Sequence, residues 1–514
     1  MIASEPFLRE MWERLARGEV RAKADLQRVK TELVRRHRLL GIPPDSEILA
    51  SATPRLREAF QDVLRVKPTR SASGVAVVSV MTPPRSCPHG TCIYCPGGPR
   101  FGTPQSYTGE EPAARRAALH GFDPRTQTVA RLDQLRKIGH STDKIDLIIL
   151  GGTFSSFDPA FKEAFVKGCF DGLNGSEASD LEEAQVRNET ASARCIGLTV
   201  ETKPDCFVGP EVEECLRLGT TRVELGIQTT HDDVLRLVNR GHTDADSREA
   251  TRRAKDAGLK LGYHMMPGLP GNDMDRDLES FRALFEDPAY RPDMLKIYPT
   301  LVLAGTGLHT MWAAGRYRPL PTEEAVELVA KVKAIVPPWV RIQRIQREIG
   351  AGAIAGGPTK GDLRVRAQRR LRSSGGRCRC IRCREIGLLR TPLPPEAVRL
   401  HRSVYEASGG REIFLSFEDQ DGDVLVGYAR LRLCERGAFL RELKVFGQVV
   451  PIAAEPGNRW QHRGLGARLL SECEHNAEED GRGELLVTSG VGVRGYYRRF
   501  GYGRKGPYMA KALA

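Results

Sequence analysis

No apolar run in the chain approaches the roughly 18 residues of a membrane span. The N-terminus, Met1 to Arg21, mixes Glu5, Glu10 and Glu13 with Arg9, Arg14 and Arg17 and offers no apolar stretch. A cytoplasmic protein with no membrane partner is expected. There is no repeat at solenoid period and no long low-complexity tract, which sets aside repeat arrays and disordered scaffolds. A disulfide framework is also missing: of the twelve cysteines, six fall in two tight triplets and the rest are scattered singly through apolar segments. Reduced thiols and metal sites fit that usage better. What remains is a chain of 514 residues with ordinary globular composition, long enough for about two or three domains that each bury a core.

The formal net charge of +13, with a pI near 9.2, favours a polyanionic partner, because basic surfaces gain from counterion release on nucleic acid. The charge is concentrated. From Arg341 to Arg384 there are thirteen Lys or Arg against two acids, Glu348 and Asp362, in a Gly-rich segment. Arginine suits phosphate, so this segment is a candidate nucleic-acid contact; the alternative is a solvated linker. A second basic stretch, Arg21 to Arg38, reads either as RNA contact or as an exposed helix face laced with ion pairs.

Residues 6 to 40 read as helical, followed by a connector at Gly41 to Asp45 and a further helical piece near Pro54 to Val66. From Val75 to about Ile345, apolar β-type runs alternate with amphipathic helical stretches: Val75 to Val80, Asp146 to Leu150, Cys195 to Val200, Arg222 to Ile227, Lys260 to Met265 and Met294 to Tyr298. Repeated β-then-α units predict a parallel sheet in a complete or partial α/β barrel, with its site at the C-terminal strand ends. Past the basic segment a new pattern begins near Pro392. Antiparallel runs at Glu412 to Phe417, Val424 to Leu433 and Phe439 to Val445, a helix Arg463 to Glu479 and a strand Glu484 to Thr488 predict a separate α+β domain. The expected domains are 1–72, 73–346, 347–390 and 391–514.

Cys87, Cys92 and Cys95 form a Cys-x4-Cys-x2-Cys cluster just after the first β run, with no fourth cysteine close in the chain. Iron–sulfur clusters normally take four protein thiolates, so a trio points to a 4Fe-4S cluster with one iron open to a substrate; a structural zinc knuckle is the alternative. Gly151 and Gly152 after the second run and Gln228 after the fourth occupy strand ends where a ligand can be approached closely. Cys378, Cys380 and Cys383 suit a structural zinc with one more distant ligand, or are free thiols. In the C-terminal part Gln461, Gly464 and Gly466 open a helix after a strand, so backbone N–H groups can face a pyrophosphate. Tyr496 and Tyr497 follow. Tyr497 is placed to hold or protonate a thiol, or else it packs in the core with a wet hydroxyl.

These strings carry a resemblance. The cysteine loop and the Gly-Gly pair resemble radical S-adenosylmethionine enzymes, in which the open iron is chelated by the cofactor, although the family's commoner first spacing is x3. Glu442 to Val445, Gly464 to Gly466 and Gly490 to Tyr502 resemble the Gcn5-related acetyltransferases. Both on one chain, together with Gln105 to Pro112, His140 to Lys144, Glu201 to Asp205, Glu224 to Gln228 and His264 to Gly271, look like the catalytic third subunit of Elongator in its single-chain prokaryotic form. Lys203 stands where many relatives carry Arg, and Gly495 where Asn often precedes the tyrosine pair.

The resemblance implies a radical S-adenosylmethionine partial α/β barrel with an N-terminal helical region and a C-terminal α+β acetyltransferase domain. It implies carboxymethylation at C5 of the wobble uridine of tRNA, at the anticodon stem-loop, with acetyl-coenzyme A as two-carbon donor. By position it carries over the cluster to Cys87, Cys92 and Cys95. It carries over acetyl-coenzyme A contacts to Lys144, Glu442, Leu443, Lys444, Val445, Leu465, Gly466, Ala467 and Tyr497. Gly151, Gly152 and Gln228 are assigned to S-adenosylmethionine by strand position. Two other readings predict different behaviour: a protein lysine acetyltransferase with a structural iron–sulfur domain, and an RNA-binding scaffold without turnover. No accessory subunit is evident, and a homodimer is left open.

Overall fold

The computed structural model describes residues 2–389, 393–447, 460 and 463–514. Seven parallel strands lie side by side in chain order: β1 (Ala76–Met81), β2 (Lys144–Leu150), β3 (Arg194–Thr202), β4 (Arg222–Gln228), β5 (Lys260–Met265), β6 (Met294–Ile297) and, past the short β7 (Val302–Leu303), β8 (Arg341–Ile345). Each of β1 and β8 has a neighbour on one side only, so the curled wall is open along that seam. β7 pairs instead with β9 (Ile354–Gly356).

The wall has two chemistries because strand side chains alternate. In β2, Ile145, Leu147 and Ile149 are buried against the surrounding helices, while Lys144, Asp146, Ile148 and Leu150 turn to the half-buried inner face. The helix Pro159–Asn174 shows how the covering elements are fixed. Asp158 accepts from the Phe161 N–H at 2.9 Å, Pro159 supplies the first turn, and Phe165, Val166, Cys169 and Phe170 face the sheet.

The N-terminal region packs four helices, Glu5–Ala16, Lys23–Arg36, Asp45–Ala50 and Pro54–Leu64, around Phe7, Met11, Leu26, Val29, Leu33 and Ile48. The helical span expected over 6 to 40 is broken after Arg17, where Gly18 takes left-handed backbone and the next helix starts at Lys23. Asp45 begins a helix rather than ending a connector, and its carboxylate binds the Lys23 and Lys30 ammonium groups at 2.7 Å each. Much of the basic Arg21 to Arg38 stretch is thus paired within its own domain, with Arg36 also held by Glu10 and Glu32.

The basic segment beyond Arg341 is more structured than a linker. Its first five residues are β8, and Leu363–Ser373 is a helix packed on the helix Thr322–Ile335. Seven of its thirteen cations hold carboxylates: Arg341 with Glu385, Arg344 with Glu348, Arg347 with Glu111, Arg366 with Glu323, Arg370 with Glu327, Arg377 with Asp423 and Arg384 with Glu418.

The C-terminal domain is an antiparallel meander, β10 (Arg399–Ala407), β11 (Gly410–Glu418), β12 (Leu425–Cys434) and β13 (Gly437–Val445). The helix Leu465–Glu479, then β14 (Glu484–Val487), β15 (Gly503–Lys505) and β16 (Tyr508–Ala512) follow. β14 runs parallel to β13 and pairs with it only over Ala438, Phe439 and Leu440.

β13 is also the strand that meets the barrel. Arg441 donates to both carboxylate oxygens of Asp293, at 2.6 and 2.7 Å, and to Glu412 Oε2 at 2.8 Å; all three side chains are inaccessible to solvent. Lys255 and Arg432 flank Glu412, and Arg430 joins Glu442 to the Trp339 carbonyl. Nearby, a Cβ on Gly490 would fall 2.2 Å from the Ile196 carbonyl oxygen, so this backbone approach requires glycine.

A candidate active-site cavity between two cofactor cradles

One cavity of about 800 Å³ reaches from the cysteine loop, along the inner face of the barrel, to Glu442 and Lys444 on β13. Cys87, Cys92, Cys95, Gly152 and Gln228 all line it. Residues predicted from sequence to serve two different cofactors therefore border the same space.

At one end each thiol sulfur has a polar neighbour. The Ser106 N–H donates to Cys95 at 3.0 Å, Arg240 Nη1 to Cys92 at 3.8 Å, the His89 ring nitrogen lies 3.2 Å from Cys92, and Thr153 Oγ1 lies 3.5 Å from Cys87. Such donors suit sulfurs that carry negative charge on a metal. Burial pushes the Cys87 thiol up and that of Cys95 up to about 11, so ligation and proton release go together here. The Gln105 Oε1 accepts from the Cys87 N–H at 2.6 Å and fixes the loop.

The two cysteine trios differ in spacing. The sulfurs of Cys378, Cys380 and Cys383 lie within 4.8 Å of one another, whereas those of Cys87, Cys92 and Cys95 are spread beyond that limit. A single tetrahedral zinc with bonds of about 2.3 Å gathers its sulfurs to about 3.8 Å, and the corners of an iron–sulfur cube stand further apart. The spacing thus favours a cluster for the first trio and a single ion for the second. Lys333 Nζ, buried 3.4 Å from Cys383, adds positive charge beside the second.

Next to the first trio, Gln228 ends β4 in left-handed backbone with φ 73°, and its amide oxygen is buried without a partner. Backbone strain of this kind clusters at ligand sites. A Cβ on Gly151 would lie 1.9 Å from Thr82 Oγ1, so the β2 end can pass β1 only as glycine.

At the other end, Glu442 to Val445 occupy the length of β13 that β14 leaves unpaired, which offers backbone groups to an extended ligand. The helix starting at Leu465 has Gly464 as its cap and no side-chain cap, so its first N–H groups, on Leu465, Gly466 and Ala467, suit an anion. The Tyr496 hydroxyl stands at this helix end, 2.9 Å from where a Cβ on Gly466 would be. Tyr497 packs in the domain core edge-on to Tyr496, at 5.2 Å, and burial pushes its phenol well above the ordinary range. Lys144 shares the inner face of β2 with Asp146, which lines the cavity, and burial lowers its ammonium. Gln461 lies outside the described residues.

Sequence reasoning missed several residues. Arg240 reaches Cys92 and the Gly226 carbonyl from a turn that carries no motif. Glu201, Glu224 and His264 each begin a string singled out in the sequence, but that they form one polar level with Lys296 across β3 to β6 was not foreseen.

Residues 81–284 match the Radical SAM superfamily, 292–373 the Radical SAM C-terminal domain, 5–72 the ELP3 N-terminal domain and 411–512 the acetyltransferase (GNAT) domain. The fold and its two cradles define a radical S-adenosylmethionine enzyme joined to an acetyltransferase, which carries with it a 4Fe-4S cluster, S-adenosylmethionine and acetyl-coenzyme A. A tRNA uridine(34) acetyltransferase of Methanocaldococcus jannaschii is 47% identical over 97% of this chain and 95% of its own. Human Elongator complex protein 3 is 42% identical over 95% of this chain and 93% of its own. The solved structure of Methanocaldococcus infernus Elp3 with an N-terminal deletion superposes with a TM-score of 0.76 at 43% identity, covering 86% of this chain and all of that one. The chain belongs to the Elp3 family. No helix among the described residues is long and apolar enough to cross a membrane.

Proposed function

We propose that this protein modifies uridine 34 of tRNA, forming 5-carboxymethyluridine with acetyl-coenzyme A as the donor of the two-carbon unit. Relatives named tRNA uridine(34) acetyltransferase support the target. The observation that carries the reading is the single cavity shared by the cysteine loop and β13. C5 of uracil bears no acidic proton and an acetyl methyl is a poor acid, so polar joining of the two would be slow. When bound, the cluster and S-adenosylmethionine supply a 5′-deoxyadenosyl radical able to take hydrogen from that methyl.

The chain's own residues hold, orient and shield. Cys87, Cys92 and Cys95 ligate the cluster, with Arg240 and the Ser106 N–H supporting the sulfurs. Gly151, Gly152 and Gln228 border S-adenosylmethionine. Glu442 to Val445 and Leu465 to Ala467 hold acetyl-coenzyme A from one domain, with Tyr496 and Tyr497, and Lys144 approaches from the other. The barrel covering β13 excludes water from the reacting carbons. Cys378, Cys380 and Cys383 hold a structural zinc that fixes the connection between domains 73–346 and 391–514. A protein lysine acetyltransferase is disfavoured because Glu442 and Lys444 open into the barrel cavity, where a peptide substrate would be obstructed.

The test is anaerobic reconstitution of the full chain with S-adenosylmethionine, acetyl-coenzyme A and tRNA. Carboxymethyluridine detected by mass, with release of 5′-deoxyadenosine, is expected. Absence of both refutes the proposal.

A further inference from the structure

We infer that the open seam between β1 and β8 admits a flipped-out nucleotide whose uracil is read inside the barrel by Glu201 and Lys296. This rests on the proposed tRNA-modifying function. The four strands β3 to β6 bring Glu201 opposite Glu224 and His264 opposite Lys296 in register. Lys296 Nζ lies 3.3 Å from Glu201 Oε1 and also pairs with Glu224, while the His264 ring nitrogen is 2.9 Å from Glu224 Oε2. Lys296, His264 and Arg222 together outweigh burial and hold the Glu224 carboxyl well below its usual range.

All four residues border the cavity, but the Glu224 side chain has no accessible surface and acts as the anchor, whereas Glu201, His264 and Lys296 keep a little. Such a buried ionic set contributes little to stability compared with apolar packing, so a role toward a ligand accounts for it better than a role in the core. A divalent cation does not fit, because the Lys296 ammonium already stands between the carboxylates.

A carboxylate beside an ammonium is the complement of an imide edge. Glu201 can accept from N3–H of uracil while Lys296 donates to the neighbouring carbonyl oxygen. Cytosine offers a lone pair at N3 and would face the carboxylate unfavourably. Aromatic faces for the base are present: Tyr107 donates to Glu201 Oε2 at 3.1 Å and lies 5.6 Å from the Arg347 guanidinium, and Tyr298 meets His264 edge-on at 5.6 Å.

Cations outnumber acids along the seam. Arg116 donates to the Ser79 carbonyl on β1 and leaves its Nε buried without a partner, while Arg344, paired with Glu348, and Arg347, paired with Glu111, come from β8 and the turn after it; all five line the cavity. Guanidinium groups at this opening suit the phosphates flanking an extruded nucleotide.

The test uses the full chain with its cluster reconstituted and an anticodon stem-loop RNA bearing 4-thiouridine at the wobble position. On irradiation, crosslinks are expected at Tyr107, His264, Lys296 or Tyr298; crosslinks mapping only outside the barrel overturn the inference. In parallel, RNA with 3-methyluridine at that position should bind within about twofold of the uridine RNA but be modified at least ~100-fold more slowly, as expected when a site built for a hydrogen bond meets a substrate lacking it. Equal modification rates overturn the inference. The uridine RNA separates the two claims. Product with crosslinks elsewhere sinks the base site alone, whereas crosslinks at these residues without any carboxymethylated product leave the base site standing and sink the proposed function.

Discussion

Replacing Arg441 by Met removes the centre of the ionic layer that joins the barrel to the C-terminal domain. Arg441 donates to Asp293 at 2.6 and 2.7 Å, to Glu412 at 2.8 Å and to the Leu259 carbonyl at 2.8 Å, all without solvent contact. Removing one member of such a buried pair leaves an uncompensated charge and costs about 3–5 kcal/mol. The cost should depend on pH in a definite sense. Burial alone would raise the Asp293 carboxyl, but Arg441, Lys255 and Arg430 hold it far below its unfolded value. Its contribution to stability is therefore fully present above about pH 4 and is lost as the pH falls through the depressed native value. Without Arg441 the native carboxyl binds its proton at higher pH, so the deficit of the variant relative to the parent shrinks on acidification. Adding Asp293→Asn removes the stranded charge and keeps an acceptor for the Leu261 N–H, 2.8 Å away. The double variant should recover part of the loss. The assay is urea unfolding of the full chain near neutral pH and at pH ~3.5, below the unfolded carboxyl's pKa, followed by tryptophan fluorescence. Trp339 reports on the interface because it stacks on Tyr405 of β10 at 4.2 Å. A cost under about 1 kcal/mol, or one that is unchanged by acid, would refute the reasoning.

Gly490→Ala drives a Cβ into the Ile196 backbone and should cost about 1–3 kcal/mol or more. Gly495→Ala, with nothing within 4 Å of its Cβ, should be neutral in the same urea unfolding. Cys92→Ala should abolish bound iron and 5′-deoxyadenosine formation while coenzyme A binding, measured by calorimetry, stays unchanged; retention of a full iron complement contradicts the assignment. Cys380→Ser should lose one zinc per chain and raise hydrogen exchange across residues 363–389 with little change in the barrel strands; a parent protein that carries no zinc argues against the metal.

Most of the barrel was legible because strands covered by helices read as apolar runs bounded by turns. Val75 to Val80 and Arg222 to Ile227 lie close to β1 and β4. The last barrel strand was hidden. Arg341-Ile-Gln-Arg-Ile345 falls within the expected barrel, 73–346, but opens the basic segment rather than an apolar run, since its buried guanidinium is neutralised by Glu385, more than forty residues on. β10 was missed for a similar reason, as its alternating Arg, His, Ser and Glu residues resemble surface chain. The cysteine loop announced itself by ligand spacing. Glu201, Glu224 and His264 each open a string that carries the resemblance, but their meeting with Lys296 was not legible, because it depends on how four strands lie side by side. Likewise, no local pattern marks Arg240 or Asp293, whose roles depend on partners remote in sequence.

β13 bears on inheritance as well as on chemistry. The same short strand presents the proposed thioester cradle through Glu442 and Lys444 and grips Asp293 of the barrel through Arg441. Recombination that swapped either half for a cousin's would mismatch this joint unless the opposing charge travelled too, so the two halves are expected to descend as one inseparable unit.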